Sequence, residues 1–305
     1  MYQRHFGLRE LPFELTPNPR FLFLTDGHRE ALSNLEYGLF SAKATTLLVG
    51  EAGTGKTTLI AAALTSDRCR HVKVAYIRNP ALTRQEFIET LARYFDLGER
   101  AAESKARMLD GLEAVLERRR ARGEIVALIV DEAQALNHEL LEEIRLLANM
   151  ETATTKLLPV VLAGQPELAH RLNEPDLRQL KQRVALRCEI RAFSLQETAA
   201  YISSRISCAG GHAARLFTRE AVVLIHEHSH GVPRTINVLC DNALVTGMAL
   251  GRASVDSATV VEVCRDFDFR KTAGISGRDM GDGPGGGSPK VVAIGGGLRP
   301  DRSEA

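Results

Sequence analysis

Residues 50–57 read GEAGTGKT, an instance of G-x-x-x-x-G-K-[ST], between an apolar run ending in glycine (ATTLLVG, 44–50) and a run of helical character (TTLIAAAL, 57–64). No other feature of the chain constrains its fold so tightly. A buried strand that passes into a helix through a glycine-rich turn is a unit of α/β architecture, where helices cover both faces of a parallel sheet. The junction also has a chemical consequence. Glycines let successive backbone N–H groups curl around phosphate oxygens, and the N-terminus of the next helix adds partial positive charge. Gly50, Glu51, Ala52, Gly53, Thr54 and Gly55, with Thr58 in the first helical turn, are the expected phosphate-binding residues. Lys56 reaches the β- and γ-phosphates of a nucleotide, and the Thr57 hydroxyl ligates Mg2+.

Four further runs, VKVAYI (72–77), EIVALIVDE (124–132), KLLPVVLAG (156–164) and VALRCEI (184–190), alternate with helical patterns. The expectation is a parallel five-stranded sheet. Residues 83–122 hold two helices separated near Gly98, and HELLEEIRLLANM (138–150) has amphipathic helical spacing. The third run ends in Asp131-Glu132. Apolar residues 127–130 bury that strand and leave Asp131 at its C-terminal end, where open α/β sheets bind ligands. An aspartate there holds magnesium, and the glutamate after it is placed to polarise an attacking water.

From Ser194 onward the pattern changes to helical periods at 194–208, 218–230, 233–250 and 254–267, with no strand among them. The tail from about residue 271 is glycine-rich and almost without large apolar side chains, so it buries too little surface to offset its ordering entropy and is expected to be disordered. The expected domains are an α/β core (1–193), an all-helical lid (194–268) and the tail (269–305). Residues 1–43 carry short helical and turn signals and a concentration of Phe6, Pro12, Phe13, Phe21 and Phe23.

Composition adds mostly exclusions. Thirty-nine basic residues balance thirty-eight acidic ones, which gives no global electrostatic case for a nucleic-acid coat or a membrane-surface binder. The five cysteines are scattered, with no C-x-x-C spacing, so neither a disulfide framework nor a thiolate metal site is indicated. No run reaches the ~18–20 apolar residues of a membrane span, and the expected location is the cytoplasm. Arg118, Arg119, Arg120 and Arg122 close a helix before the third strand and read as a solvated helix end, with contact to DNA phosphates or acidic lipid as the alternative.

HEHSHGVPR (226–234) admits two readings. His226, Glu227 and His230 fit H-E-x-x-H, in which two histidines one turn apart hold zinc. Gly231 and Pro233 follow at once, however, and that is how one helix ends and another begins. The second reading makes Arg234, at the start of the new helix, the informative residue.

The segments FGLRELPFELTPNPRFLFLTDGHREALSNLEYGL (6–39), VGEAGTGKTTL (49–59), LIVDEAQAL (128–136) and LAGQPEL (162–168) resemble the AAA+ ATPases, particularly the branch of general secretion pathway protein A, the ExeA-like ATPases. The resemblance covers roughly residues 1–268, and transposition ATPases of the TnsC/TniB type are similar in the same core. It implies that the nucleotide is ATP. It also implies that Lys56 and Thr57 fall on Walker A, that Asp131 and Glu132 fall on Walker B, and that Gln165 is the sensor 1 residue between the fourth strand and the γ-phosphate. LRQLKQRVALR (177–187) places Arg183, or alternatively Arg178, where AAA+ proteins carry an arginine finger for a neighbouring subunit's nucleotide. Arg234 falls on sensor 2, and Phe6, Pro12 and His28 fall in the segment that packs around adenine. The implied activity is Mg-dependent ATP hydrolysis in a homo-oligomeric ring or filament. The implied process is energising or assembling a secretion, pilus or exopolysaccharide export system, peripheral at the inner membrane through an envelope partner; the alternative is DNA-dependent regulation of transposition. The branch's membrane span and peptidoglycan-binding region have no counterpart in the sequence.

Overall fold

The computed structural model describes residues 1–266 apart from positions 17, 44, 79, 99, 100 and 102, so the glycine-rich tail lies outside the described residues. Strands β1 (Thr45–Gly50), β2 (Lys73–Ile77), β3 (Val126–Val130), β4 (Val160–Gly164) and β5 (Val184–Ile190) form one sheet in the order β2-β3-β4-β1-β5. Every neighbouring pair is parallel. In β1, β3 and β4 all residues are buried, and alternate side chains enter opposite faces. Leu47, Val49, Leu128, Val130, Val160 and Leu162 join the core on one side, while Leu48, Ala127, Ile129, Val161 and Ala163 join the core on the other. Burial on both faces explains why these strands read as continuous apolar runs. The fourth strand starts later than the run 156–164, since Pro159 has no N–H for the ladder and contributes only its carbonyl, to Leu128 N–H at 2.9 Å.

A short helix α1 (Tyr2–Phe6) opens the chain, followed by α2 (Asp26–Phe40) and α3 (Lys56–Thr65). Leu35 and Leu39 of α2 and Leu59 and Ile60 of α3 cover one face of the sheet. Helices α4 (Arg84–Tyr94), α5 (Lys105–Ala121) and α6 (His138–Leu147) cover the other through Phe87, Leu91, Leu112, Leu116, Leu140 and Ile144. The length of α2 exceeds the short helical signals of residues 1–43. Thr25 caps it by accepting from the His28 N–H at 3.3 Å, and Ala31, Leu35 and Leu39 line its buried side at one-turn spacing. Two short helices absent from the sequence reading, α7 (Pro166–Arg171) and α8 (Arg178–Gln182), flank the passage from β4 to β5.

Beyond β5 the described chain is helical: α9 (Leu195–Cys208), α10 (Ala213–Leu216), α11 (Arg219–Ser229), α12 (Pro233–Ala249) and α13 (Ser257–Asp266). Ser194 and Glu197 form a reciprocal capping box that starts α9 at the change of pattern. The beginning of the chain packs here. Tyr2, Leu8, Phe13 and Phe21 share one apolar cluster with Tyr201, Ile206, Phe217, Leu239 and Leu244. A helical lobe this small buries little apolar surface by itself, and the aromatic-rich N-terminal segment completes its core. Among the described residues no helix is long and apolar enough to cross a membrane.

Candidate functional site

Strand register brings the candidate residues to one edge of the sheet. Val49 lies opposite Gly164, and Val130 lies opposite Leu162. The residues that follow these strands, the loop after Gly50, Asp131 and Gln165, therefore emerge side by side at the C-terminal edge. Gly53 and Gly55 hold φ of +82° and +100°, backbone conformations that side-chain-bearing residues rarely adopt. Gly50 is constrained by space, because a Cβ there would lie 2.7 Å from the Ile190 carbonyl oxygen. Thr54, fully buried, ties the loop down by donating to Glu51 O at 2.8 Å. Gly55 caps α3 without a side-chain acceptor. The first-turn N–H groups of α3 are thus offered to an anion.

Lys56 is buried, and its ammonium donates to Gly50 O at 2.7 Å and Glu51 O at 3.1 Å. Burial lowers its pKa, while the charges of Glu132, Asp131 and Glu51 oppose that shift. The Thr57 hydroxyl donates to Asp131 Oδ2 at 2.7 Å, and the Tyr76 hydroxyl donates to the same oxygen at 3.0 Å. Burial and the Asp131 carboxylate push the Tyr76 phenol upward, so it remains a donor. An alcohol and a carboxylate in contact form a hard-oxygen pair of the kind Mg2+ prefers. The donors of the loop and this pair fit a magnesium-bound triphosphate.

Glu132 occupies the left-handed region at φ +53°, a conformation that costs a non-glycine residue about 1–2 kcal/mol. The turn aims its carboxylate into the cleft, where Oε2 accepts from Gln134 Nε2 at 2.6 Å. Gln134 Oε1 accepts from the Gln165 N–H at 3.1 Å. Gln134 thereby links the end of β4 to Glu132. It lies within the quoted LIVDEAQAL motif, whereas Tyr76 has no sequence signal because its neighbour is set by the β2–β3 pairing.

The cleft, with a volume of about 320 Å³, is lined by residues 53–59, Glu132, the N-terminal segment and the helical lobe. Arg234 forms part of its wall, and its backbone N–H donates to Gly53 O at 3.2 Å. A Cβ on Gly53 would come within 2.8 Å of the Arg234 Cβ, so the loop glycine also permits this contact. His28 lines the cleft, with Nε2 3.3 Å from Thr54 O. Phe6 and Pro12 are not among the lining residues; Leu15, Phe21, Leu22 and Phe23 are, and Phe6 packs in the helical lobe instead. Gln165, at the start of α7, is not among the lining residues. Arg183 and Arg178 are exposed and outside the cleft. Glu51 and Ala52 are exposed at the tip of the loop.

In the HEHSH segment, α11 stops at Ser229 and His230 turns left-handed at φ +51°. His226 and His230 are therefore not held at helical spacing. His226 Nδ1 lies 2.9 Å from Thr198 Oγ1, and among the described residues no group of three or more His, Cys, Asp or Glu could hold a metal ion.

The AAA domain family model matches residues 41–172, the stretch holding the loop, the β3 acids and Gln165. The chain carries an AAA domain. It is similar to General secretion pathway protein A of Aeromonas hydrophila, 40% identical over 251 residues, which is 82% of this chain and 46% of that protein. The chain thus spans about half the length of this curated relative. In fold, this chain is similar to the Aeropyrum pernix ORC2 protein, solved as ADPNP-ADP complexes (TM-score 0.60, 18% identity, 84% of this chain and 71% of that one). It is also similar to Cdc6p of Pyrobaculum aerophilum (TM-score 0.61, 17% identity, 87% and 72%). At such identities the likeness is one of fold.

Proposed function

We propose that this AAA protein is a magnesium-dependent ATPase that energises or assembles a secretion, pilus or exopolysaccharide export system. The observation that carries the catalytic part is the Thr57–Asp131 contact at 2.7 Å beside Lys56. It joins the loop directly to a β3 acid, and hydrolysis of a phosphoanhydride would use that juxtaposition. Residues 50–58 hold the phosphates through loop N–H groups and Lys56. Thr57 and Asp131 hold magnesium, which supplies charge neutralisation at the phosphate oxygens. Glu132 polarises the attacking water; Gln134, in the turn after β3, holds its carboxylate and is itself tied to the end of β4 by the Gln165 N–H. Residues 194–268 act as a lid whose Arg234 reads the phosphate state from the cleft wall. Equilibrium binding with and without magnesium tests this reading, which falls if the protein has no magnesium-dependent affinity for ATP.

Arg183, exposed and outside its own cleft, is assigned to the nucleotide of a neighbouring subunit, which makes activity depend on assembly into a ring or filament. Mixing Lys56→Ala with Arg183→Ala protein, each inactive alone, is expected to restore turnover. Random pairing at equal amounts puts an intact loop against an intact finger at about a quarter of interfaces. Failure at every mixing ratio removes Arg183 from this role.

The secretion reading is supported by the 40% identity to General secretion pathway protein A. Its rival is a transposition regulator stimulated by DNA. Turnover measured with and without duplex DNA, at low and moderate salt, is expected to be indifferent to DNA. Strong, salt-sensitive stimulation would replace the secretion reading with the DNA one.

A further inference from the structure

Arg205, on α9, is 7% exposed, and its Nε and Nη1 atoms are buried without a hydrogen-bond partner. Its guanidinium lies 4.9 Å from the centre of the Phe21 ring and 5.4 Å from that of Tyr201. The Tyr201 hydroxyl donates to Asn237 Oδ1 at 2.9 Å. Phe21, Tyr201, Arg205 and Asn237 all line the cleft that residues 53–59 close with the phosphate loop.

A guanidinium is permanently charged, and burying its donors without acceptors is costly. The two aromatic faces offset part of that cost and fix the plane of the group, but they accept no hydrogen bond at its edge. Buried polar groups without partners are rare in folded proteins, and each calls for an explanation. The position of this one in the wall of a ligand cleft supplies it. The phosphates have their own donors in the loop and Lys56. What the rest of a nucleotide offers is a flat π-system with ring-nitrogen acceptors and a sugar with oxygen acceptors, and both suit a guanidinium held between aromatic rings.

We infer that Arg205 recognises the nucleoside: its guanidinium donates to ring-nitrogen or ribose-oxygen acceptors of the nucleotide in this cleft. Through Phe21 and Tyr201 it joins the N-terminal segment and the helical lobe to the same ligand. This role rests on the nucleotide reading above. The sequence YISSRISC (201–208) gave no sign of it, because a single arginine on an amphipathic helix normally faces solvent.

The test compares ATP, 2′-deoxy-ATP and tripolyphosphate as ligands of the full chain and of Arg205→Met, which keeps an apolar stem against the rings. Loss of charge-assisted hydrogen bonds is expected to raise the Kd for ATP by about ten- to a hundredfold and to leave that for tripolyphosphate unchanged. Loss of the 2′-hydroxyl that weakens binding only in the parent protein assigns the contact to the ribose; an equal loss in parent and variant assigns it to the base or another sugar oxygen. Arg205→Lys retains charge without the planar fork and is expected to fall between the two; it carries the same comparison should Arg205→Met fail to fold. An unchanged Kd for ATP overturns the inference, as does an equal rise for ATP and tripolyphosphate, which would mark a structural or phosphate-binding arginine. If the parent binds neither ligand, the nucleotide reading itself fails; if the parent binds ATP and the variants bind it equally well, only the role of Arg205 fails.

Discussion

Glu132→Gln protein is expected to bind ATP with the affinity of the parent and to hydrolyse it about 10²- to 10⁴-fold more slowly, the range lost when a positioned general base is removed. The substitution is nearly isosteric, and the carboxamide oxygen can still accept from Gln134 Nε2, so the turn at Asp131 keeps its geometry. What disappears is the negative charge that draws a proton from water. The backbone at φ +53° is the second reason to expect a specific effect. A chain bears that strain at a non-glycine residue when the surroundings over-determine it, and such positions cluster at functional sites. Single-turnover hydrolysis alongside equilibrium ATP binding measures the two quantities separately. The ATP-bound variant is also expected to accumulate in the assembled form, which sedimentation would detect. A turnover number equal to that of the parent would take Glu132 out of the reaction.

Gly231→Ala should produce the largest loss of stability of any single methyl addition in the helical lobe. Gly231 has φ +73°, and a Cβ there would lie 2.0 Å from the Phe193 carbonyl oxygen and 2.9 Å from its nitrogen. The atoms in the way are backbone. They are held in place by the Phe193 N–H, which donates to Gly231 O at 2.8 Å, so no side chain can swing aside. The expected cost is at least about 3 kcal/mol, combining left-handed strain with the displaced contact. For a domain of this size that is a fall in Tm of roughly 6–12 °C. Gly251→Ala is the control, since Gly251 has φ +66° but nothing within 4 Å of the added atom; it should lose only the conformational part. Calorimetry of the two variants isolates the clash, and equal melting would mean the lobe does not approach Phe193 this closely. The location adds a functional readout. Phe193 joins β5 to α9, and Arg234 follows Gly231 by three residues, so ATP affinity should weaken in Gly231→Ala and not in Gly251→Ala.

Much of the fold was legible because its signals are local. The loop at 50–57 needs glycines where φ is positive or space is absent, and a lysine and threonine at the next helix start. All of these requirements fall within eight consecutive letters. The central strands are buried on both faces, and that makes them unbroken apolar runs; their C-terminal ends, hence the place of Asp131, could be read from where those runs stop. The long helix α2 was less visible, since its buried stripe of Ala31, Leu35 and Leu39 is interrupted by charged neighbours.

The sequence by itself determined the succession of the five strands and most of the longer helices along the chain and the chemistry gathered at the loop, because propensity, capping and apolar periodicity act over a few residues. Only the tertiary structure decided the rest. It set Tyr76 against Asp131 through strand pairing, ran Gln134 between Glu132 and the end of β4, seated the N-terminal phenylalanines in the helical lobe, and buried Arg205 among aromatic rings. Each of these turns on at least one contact between residues far apart in the chain, such as Tyr76–Asp131, Gln134–Gln165 and Arg205–Phe21. Their energy comes from desolvation and hydrogen bonding at a shared surface, which no short stretch of residues specifies alone.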